Sequence, residues 1–288
     1  MIKQLKERLE IRLRQYIGEA HAISEIAERK RELLTERGAE IVQAKVSGKI
    51  LKKVEKEGFI EVHYRPHFKY LIRQGDFYYL EEEIEERKAL FQKGFLINDE
   101  EVVQQEKPLA FELMSDSHRD LERIPYKYDR RRAVQYAERW WNDYNPQFKK
   151  FEVDCTNYVS QCMWAGGAPM RGYPNRSRGW WYRDNNWSYS WSVAHALRWY
   201  LATSKTGLQA KEVKDPRELL PGDVICYDFQ GNGRFDHNTI VVAKDAKGEP
   251  LVNAHTYNSR MRYWAYKDST AYTDNIQYKF YTIIDDSD

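Results

Sequence analysis

The chain changes character near its middle. All nine tryptophans lie between Trp140 and Trp264, and all three cysteines lie at or after Cys155, so the first 120 residues hold neither type. This asymmetry predicts two domains, 1–120 and 121–288, joined in the polar stretch "SDSHRDLERIPYKYDRRR". Pro125 discourages a helix running through that stretch. A length of 288 residues suits one large domain or two ordinary ones, and 42% apolar residues support a real core.

The first part opens with a long amphipathic helix. Ile2, Leu5, Leu9, Leu13, Tyr16, Ala20 and Ile23 recur at three- and four-residue steps, and Gly38 is its expected stop. Strand-like runs follow, "AEIVQAKVSGKILKKVE", "FIEVHYRPHFKYLIRQG" and "DFYYLEEEIEE", with "SGK" and "QGD" expected as turns. One helix on a small antiparallel meander is the economical architecture. His63 and His67 flank Pro66 and are expected at an exposed strand edge. No chemistry is legible here, so this part is expected to dock, to form a homodimer or to pack as an appendage.

The second part begins with the helical stripe Ala133, Val134, Ala137, Trp140 and Trp141. It continues through "DCTNYVSQCMWAGG" and an aromatic loop, and resumes helical spacing at "SVAHALRWYLATS". After "DPRELLPGD" the pattern alternates, in "VICYDF", "HNTIVVAKD", "EPLVNAHTYN" and "IQYKFYTIID". Helices first and antiparallel strands after give an α+β fold.

Cys155 falls at the first residue of a helix preceded by Asp154. Asp is a favoured N-cap, and the unpaired N–H groups and dipole of a first turn favour thiolate over thiol. Cys162 lies about 10 Å further along the helix, on the same stripe as Val159, and reads as packing. Cysteine catalysis also needs a base. His237 opens a strand after the turn "QGNGRFD", and Asn253 and His255, two apart on the next strand, share one face. Either is placed to orient His237 in a Cys-His-X arrangement. Backbone N–H groups at the helix start, including that of Cys155, are expected oxyanion donors, with Asn145 or Gln147 as candidate assistants. A zinc site from Cys155, His237 and His255 is the competing reading of the same residues.

The motifs "YDRRRAVQYAERWW", "DCTNYVSQCMWAGG", "LLPGDVICYDF", "DHNTIVV" and "VNAHTYN" occur in the order of the putative amidase domain family, which this chain resembles over roughly residues 126–284. That family is placed among papain-like cysteine hydrolases, with bacterial cell-wall peptidases and amidases. The resemblance implies a papain-like fold for the second part, Cys155 as nucleophile, His237 as base, and His255 or Asn253 as third member, His255 being preferred. It implies no metal and no organic cofactor, and an amide bond in a peptide or peptidoglycan-like substrate. Residues 1–120 lie outside it.

The loop "GWWYRDNNWSYSW" has the composition of a peptide or glycan groove. Trp180, Trp181 and Trp187 are its candidate contacts, Arg178 and Arg183 its candidate carboxylate partners, and Asp154 a further candidate near the nucleophile; packing of the loop is the competing reading. His195 is expected to be structural or solvated. A net charge of +2 gives no footing for nucleic acid or an anionic membrane. With a mean hydropathy of -0.81, no bilayer-length apolar run, no secretory signal and thiols that fit no disulfide framework, a soluble cytoplasmic protein is expected, unless a leader was removed or export takes another route.

Overall fold

The structure, a computed structural model, describes residues 1–18, 24–102 and 125–286. The chain divides into two compact units, Met1–Gln104 with Tyr257–Thr270, and Gln105–Thr256 with Ala271–Asp288. Much of the stretch expected to join the domains lies outside the described residues.

The first unit begins with two helices, α1 (Ile2–Ile17) and α2 (Glu25–Arg37), where the apolar spacing predicts one. Gly18 ends α1 in the left-handed region, at φ 81°, and its N–H bonds the carbonyl of Arg14. Ser24 then starts α2 by accepting the N–H of Ala27. Gly38 does end a helix, as expected, but the second one. Ala20 and Ile23 lie outside the described residues.

Five strands follow: β1 (Ala39–Lys56), β2 (Phe59–Gln74), β3 (Phe77–Ile84), β4 (Arg87–Gln92) and β5 (Phe95–Glu101). "SGK" is not a turn. Ser47, Gly48 and Lys49 pair with His67, Pro66 and Arg65 inside a continuous β1, and the chain reverses at Glu57-Gly58 instead. "QGD" does mark the turn from β2 to β3. Along its other side β2 pairs first with β4, as far as Tyr64, and then with β3 from His67. Pro66, which has no N–H to give a ladder, sits at that changeover. His63 and His67 are therefore on a central strand rather than an edge, where they bond Glu61 and Glu82 at 2.7 and 2.8 Å. The core gathers Leu5, Leu9 and Tyr16 of α1 against Phe68 and Tyr70 of β2, with the Tyr16 and Tyr70 rings edge to face at 5.4 Å.

The second unit holds α3 (Arg130–Trp140), α4 (Cys155–Ala165), the short pair β6 (Tyr182–Arg183) and β7 (Asn186–Trp187), α5 (Tyr189–Ser192) and α6 (Ala194–Thr203). The strands β8 (Gln209–Val213), β9 (Val224–Asp228), β10 (His237–Lys244) and β11 (Pro250–Ala254) follow; after β12 (Ser259–Tyr263), which falls in the first unit, the second resumes with β13 (Gln277–Ile284). An antiparallel sheet runs β11-β10-β9-β13-β8. The result is α+β, with a large antiparallel sheet and few helices. α4 packs on β10 and β11, and α3 packs on α4. Residues of β9 and β11 are buried on both faces, so these strands read as apolar runs more than as alternations.

β12 belongs with the first unit, although the sequence assigns it to the second part. Ser259 and Arg260 pair with Glu83 and Glu82 of β3. Beyond β12, Asp268 reaches Lys30 of α2 at 2.9 Å.

Candidate active site

Cys155 is the first residue of α4 and is buried, at 1% exposure. The turn that presents it is held mainly by Asp154. Asp154 makes no side-chain capping bond to the helix. Its Oδ1 accepts the N–H of Phe151 and the Nδ2 amide of Asn157, both at 2.9 Å, and its Oδ2 lies 2.8 Å from Nδ1 of His255. Asn157 in turn donates to the carbonyl of Lys149 and accepts the indole N–H of Trp191. Asp154 thus ties the helix start to the preceding strap and to the end of β11. At 1% exposure it stands as a buried structural acid rather than as a substrate contact.

Thr256 completes the turn and was not singled out from sequence. Its Oγ1 accepts the N–H of Asp154 at 3.0 Å and that of Cys155 at 3.2 Å. To do so it adopts φ 78°, a left-handed conformation costly for a β-branched residue. The N–H of Cys155, expected to face an oxyanion, is therefore engaged by a side chain. Asn145, a candidate assistant, bonds the hydroxyl of Tyr136 at 2.9 Å and the N–H of Gln147 at 3.0 Å.

His255 does not orient His237. Both its ring nitrogens are taken, Nδ1 by Asp154 and Nε2 by the carbonyl of Trp140 at 2.6 Å. A carbonyl only accepts, so Nε2 carries hydrogen. The ring also stacks on Tyr158, centroid to centroid 4.1 Å. Asn253, fully buried, donates from Nδ2 to Glu138 of α3 at 2.8 Å.

His237 opens β10 as expected, at 4% exposure, beside the rings of Tyr227 and Phe229 at 5.6 and 6.1 Å. Its neighbour Asn238 donates from Nδ2 to Oγ1 of Thr156 at 2.9 Å, and that oxygen lies 3.7 Å from the sulfur of Cys155. The residues next to each candidate are therefore bonded to one another across the junction of α4 and β10. Burial pushes the thiols of Cys162 and Cys226 well up, which keeps both protonated at neutral pH.

The family's sequence profile, described as a putative amidase domain, matches residues 127–281. The chain belongs to the putative amidase domain family. It is 50% identical over 272 residues to the uncharacterized protein YhbB of Bacillus subtilis, covering 91% of this chain and 87% of that protein. It is 28% identical over 171 residues to the uncharacterized protein YjcM of the same organism, covering 55% of this chain and 39% of that protein. No solved structure matches.

In this putative amidase domain the tryptophans of the aromatic loop are buried or half-buried, while residues 183–186 between them are exposed. Trp180 and Trp181 are 0% and 1% exposed, against the expectation of a surface groove. The indole of Trp180 donates to Ser160 of α4 at 2.9 Å and packs on Trp191, while that of Trp181 donates to the carbonyls of Asn175 and Arg178. Trp180 thus holds the loop against the cysteine helix, while Trp181 closes the loop on itself. Trp187 is half-buried, its ring edge to face with Phe151 at 4.8 Å and under the ammonium of Lys149. Arg178 is half-buried, and Arg183 is exposed and paired with Asp184. His195 accepts the N–H of Phe235 on Nδ1, a structural role.

The ligand atoms of Cys155, His237 and His255 do not all lie within 4.8 Å of one another, so the zinc reading lacks its geometry. Among the described residues the group that meets that distance is Glu81, Glu83 and Asp268 in the first unit. The ammonium of Lys30 already bonds all three carboxylates.

Proposed function

We propose that this chain is a cysteine-dependent amide hydrolase, with a papain-like second domain covering 121–288 and a docking or dimerisation domain in 1–120. The observation that carries the reading is the junction of α4 and β10, where Asn238 and Thr156 bond beside His237 and Cys155. A sulfur at a helix start benefits from the dipole and the N–H groups of the first turn. In the proposed cycle the Cys155 thiolate attacks the amide carbon. His237, as imidazolium, gives its proton to the leaving amine as the C–N bond breaks, leaving a thioester. His237 then takes a proton from water, which attacks the thioester, and the acid leaves as the C–S bond breaks. No metal or organic cofactor enters these steps. A peptide amide, such as one in a peptidoglycan stem peptide, is the substrate class that the family membership favours.

The test combines labelling and turnover. Iodoacetamide at neutral pH is expected to modify Cys155 well ahead of Cys162 and Cys226, and His237→Ala to remove that preference. Cys155→Ala is expected to abolish release of amine from peptidoglycan-derived peptides. Equal, slow labelling of all three thiols, with no amine released by the parent protein, overturns the proposal in favour of a binding module. Release of amine with the acyl group recovered on an added amine, rather than as acid, turns it into an acyltransferase.

A further inference from the structure

We infer that Thr156 is a positioning residue for the sulfur of Cys155, its hydroxyl held by Asn238 so that its proton points at Sγ. Thr156 is 1% exposed and its Oγ1 has two partners among the described residues: Nδ2 of Asn238 at 2.9 Å and Sγ of Cys155 at 3.7 Å. An amide nitrogen only donates, so Asn238 fills a lone pair of the hydroxyl and cannot receive its proton. The sulfur is the acceptor that remains. Asn238 is itself 0% exposed, and its Oδ1 has no partner among the described residues, so Thr156 is its side-chain anchor. A hydroxyl pointed at sulfur in a buried site favours the thiolate, because a hydrogen bond to an ionised acceptor is stronger than one to a neutral acceptor. The direction of the bond thus passes from strand β10 to helix α4 and ends on the sulfur, separately from any proton transfer by His237.

This rests on Cys155 being the nucleophile, and the experiment separates the two. The rate of iodoacetamide modification at the Cys155 peptide is followed by mass spectrometry against pH in the full chain. Thr156→Val, which keeps the shape and removes the hydroxyl, is expected to raise the midpoint by about one pH unit. Thr156→Ser is expected to keep it. Asn238→Ala, which frees the hydroxyl to turn away, is expected to raise it by a smaller amount and serves if the valine variant does not fold. An unchanged midpoint in Thr156→Val, or in Asn238→Ala where the valine variant does not fold, overturns the inference even if the parent protein hydrolyses amides. A raised midpoint in a chain that releases no amine leaves the inference standing and removes the hydrolase reading instead.

Discussion

Asp154 and Trp180 show how much of the candidate site is carried by single buried side chains. Replacing Asp154 by asparagine keeps the bonds from Phe151 and Asn157 in reach but removes the charge facing His255. That loss is expected to cost about 1–3 kcal/mol in urea unfolding, the usual range for a buried polar group left poorly paired. Trp180→Ala opens a large void and strips Ser160 of its indole donor. A loss of about 3–5 kcal/mol is expected in the same measurement. If the aromatic loop were a docking surface, this variant would instead leave stability nearly intact and weaken only substrate binding. His255 teaches the same lesson at one residue. The sequence expects it on the same strand as Asn253, but β11 ends at Ala254 and His255 lies in the turn beyond, and its partners were not legible, because Asp154 and Trp140 come from other elements.

At the scale of elements, the cysteine helix was the most legible part of the chain. Asp154, the stripe Cys155, Val159 and Cys162, and Gly166-Gly167 are local signals, and α4 runs between them. The reason for glycine at 166 is not local. Gly166 has an ordinary helical backbone, φ −72°, yet a Cβ there would collide with the ring of Tyr128. Gly166→Ala is expected to destabilise by about 1–3 kcal/mol, read from the shift in urea midpoint at constant slope. A neutral or stabilising result would show that the Tyr128 ring moves aside freely. The two misplaced breaks in the first unit have one cause. Apolar spacing persists across Gly18, and a Ser-Gly-Lys triplet sits within β1, because neighbouring elements decide whether a glycine bends the chain.

At the scale of the whole molecule, charge is concentrated inside the first unit. Burial, with Glu85 nearby, pushes the Glu101 carboxyl up to about 7, against the opposing pull of Arg87, Arg12 and Arg262. Burial likewise pushes Glu81 up to about 7, against the pull of Lys30. A carboxyl raised on folding holds its proton in the folded state after the unfolded chain has lost it. Unfolding then releases protons between the ordinary carboxylate range and about pH 7, so stability falls as pH rises through that window. Glu101→Gln removes one share of this dependence. The variant is expected to match the parent at pH 4 and to exceed it by roughly 2 kcal/mol at pH 8 in urea unfolding. Equal stability of the two proteins at pH 8 would mean that Glu101 is ionised and adequately paired in the folded chain.

The sequence by itself determined the α+β class, the start of the cysteine helix, His237 at the head of a strand and membership of the putative amidase domain family. Each of these rests on neighbours within a few turns or on an ordered set of motifs. Only the tertiary structure decided that Asp154 pairs with His255, that Thr256 occupies the N–H of Cys155, that Trp180, Trp181 and Trp191 are buried, and that residues 257–270 complete the first unit. The physical reason is common to all four: periodicity fixes which face a side chain leaves from, while its partner is set by what other segments are packed against that face.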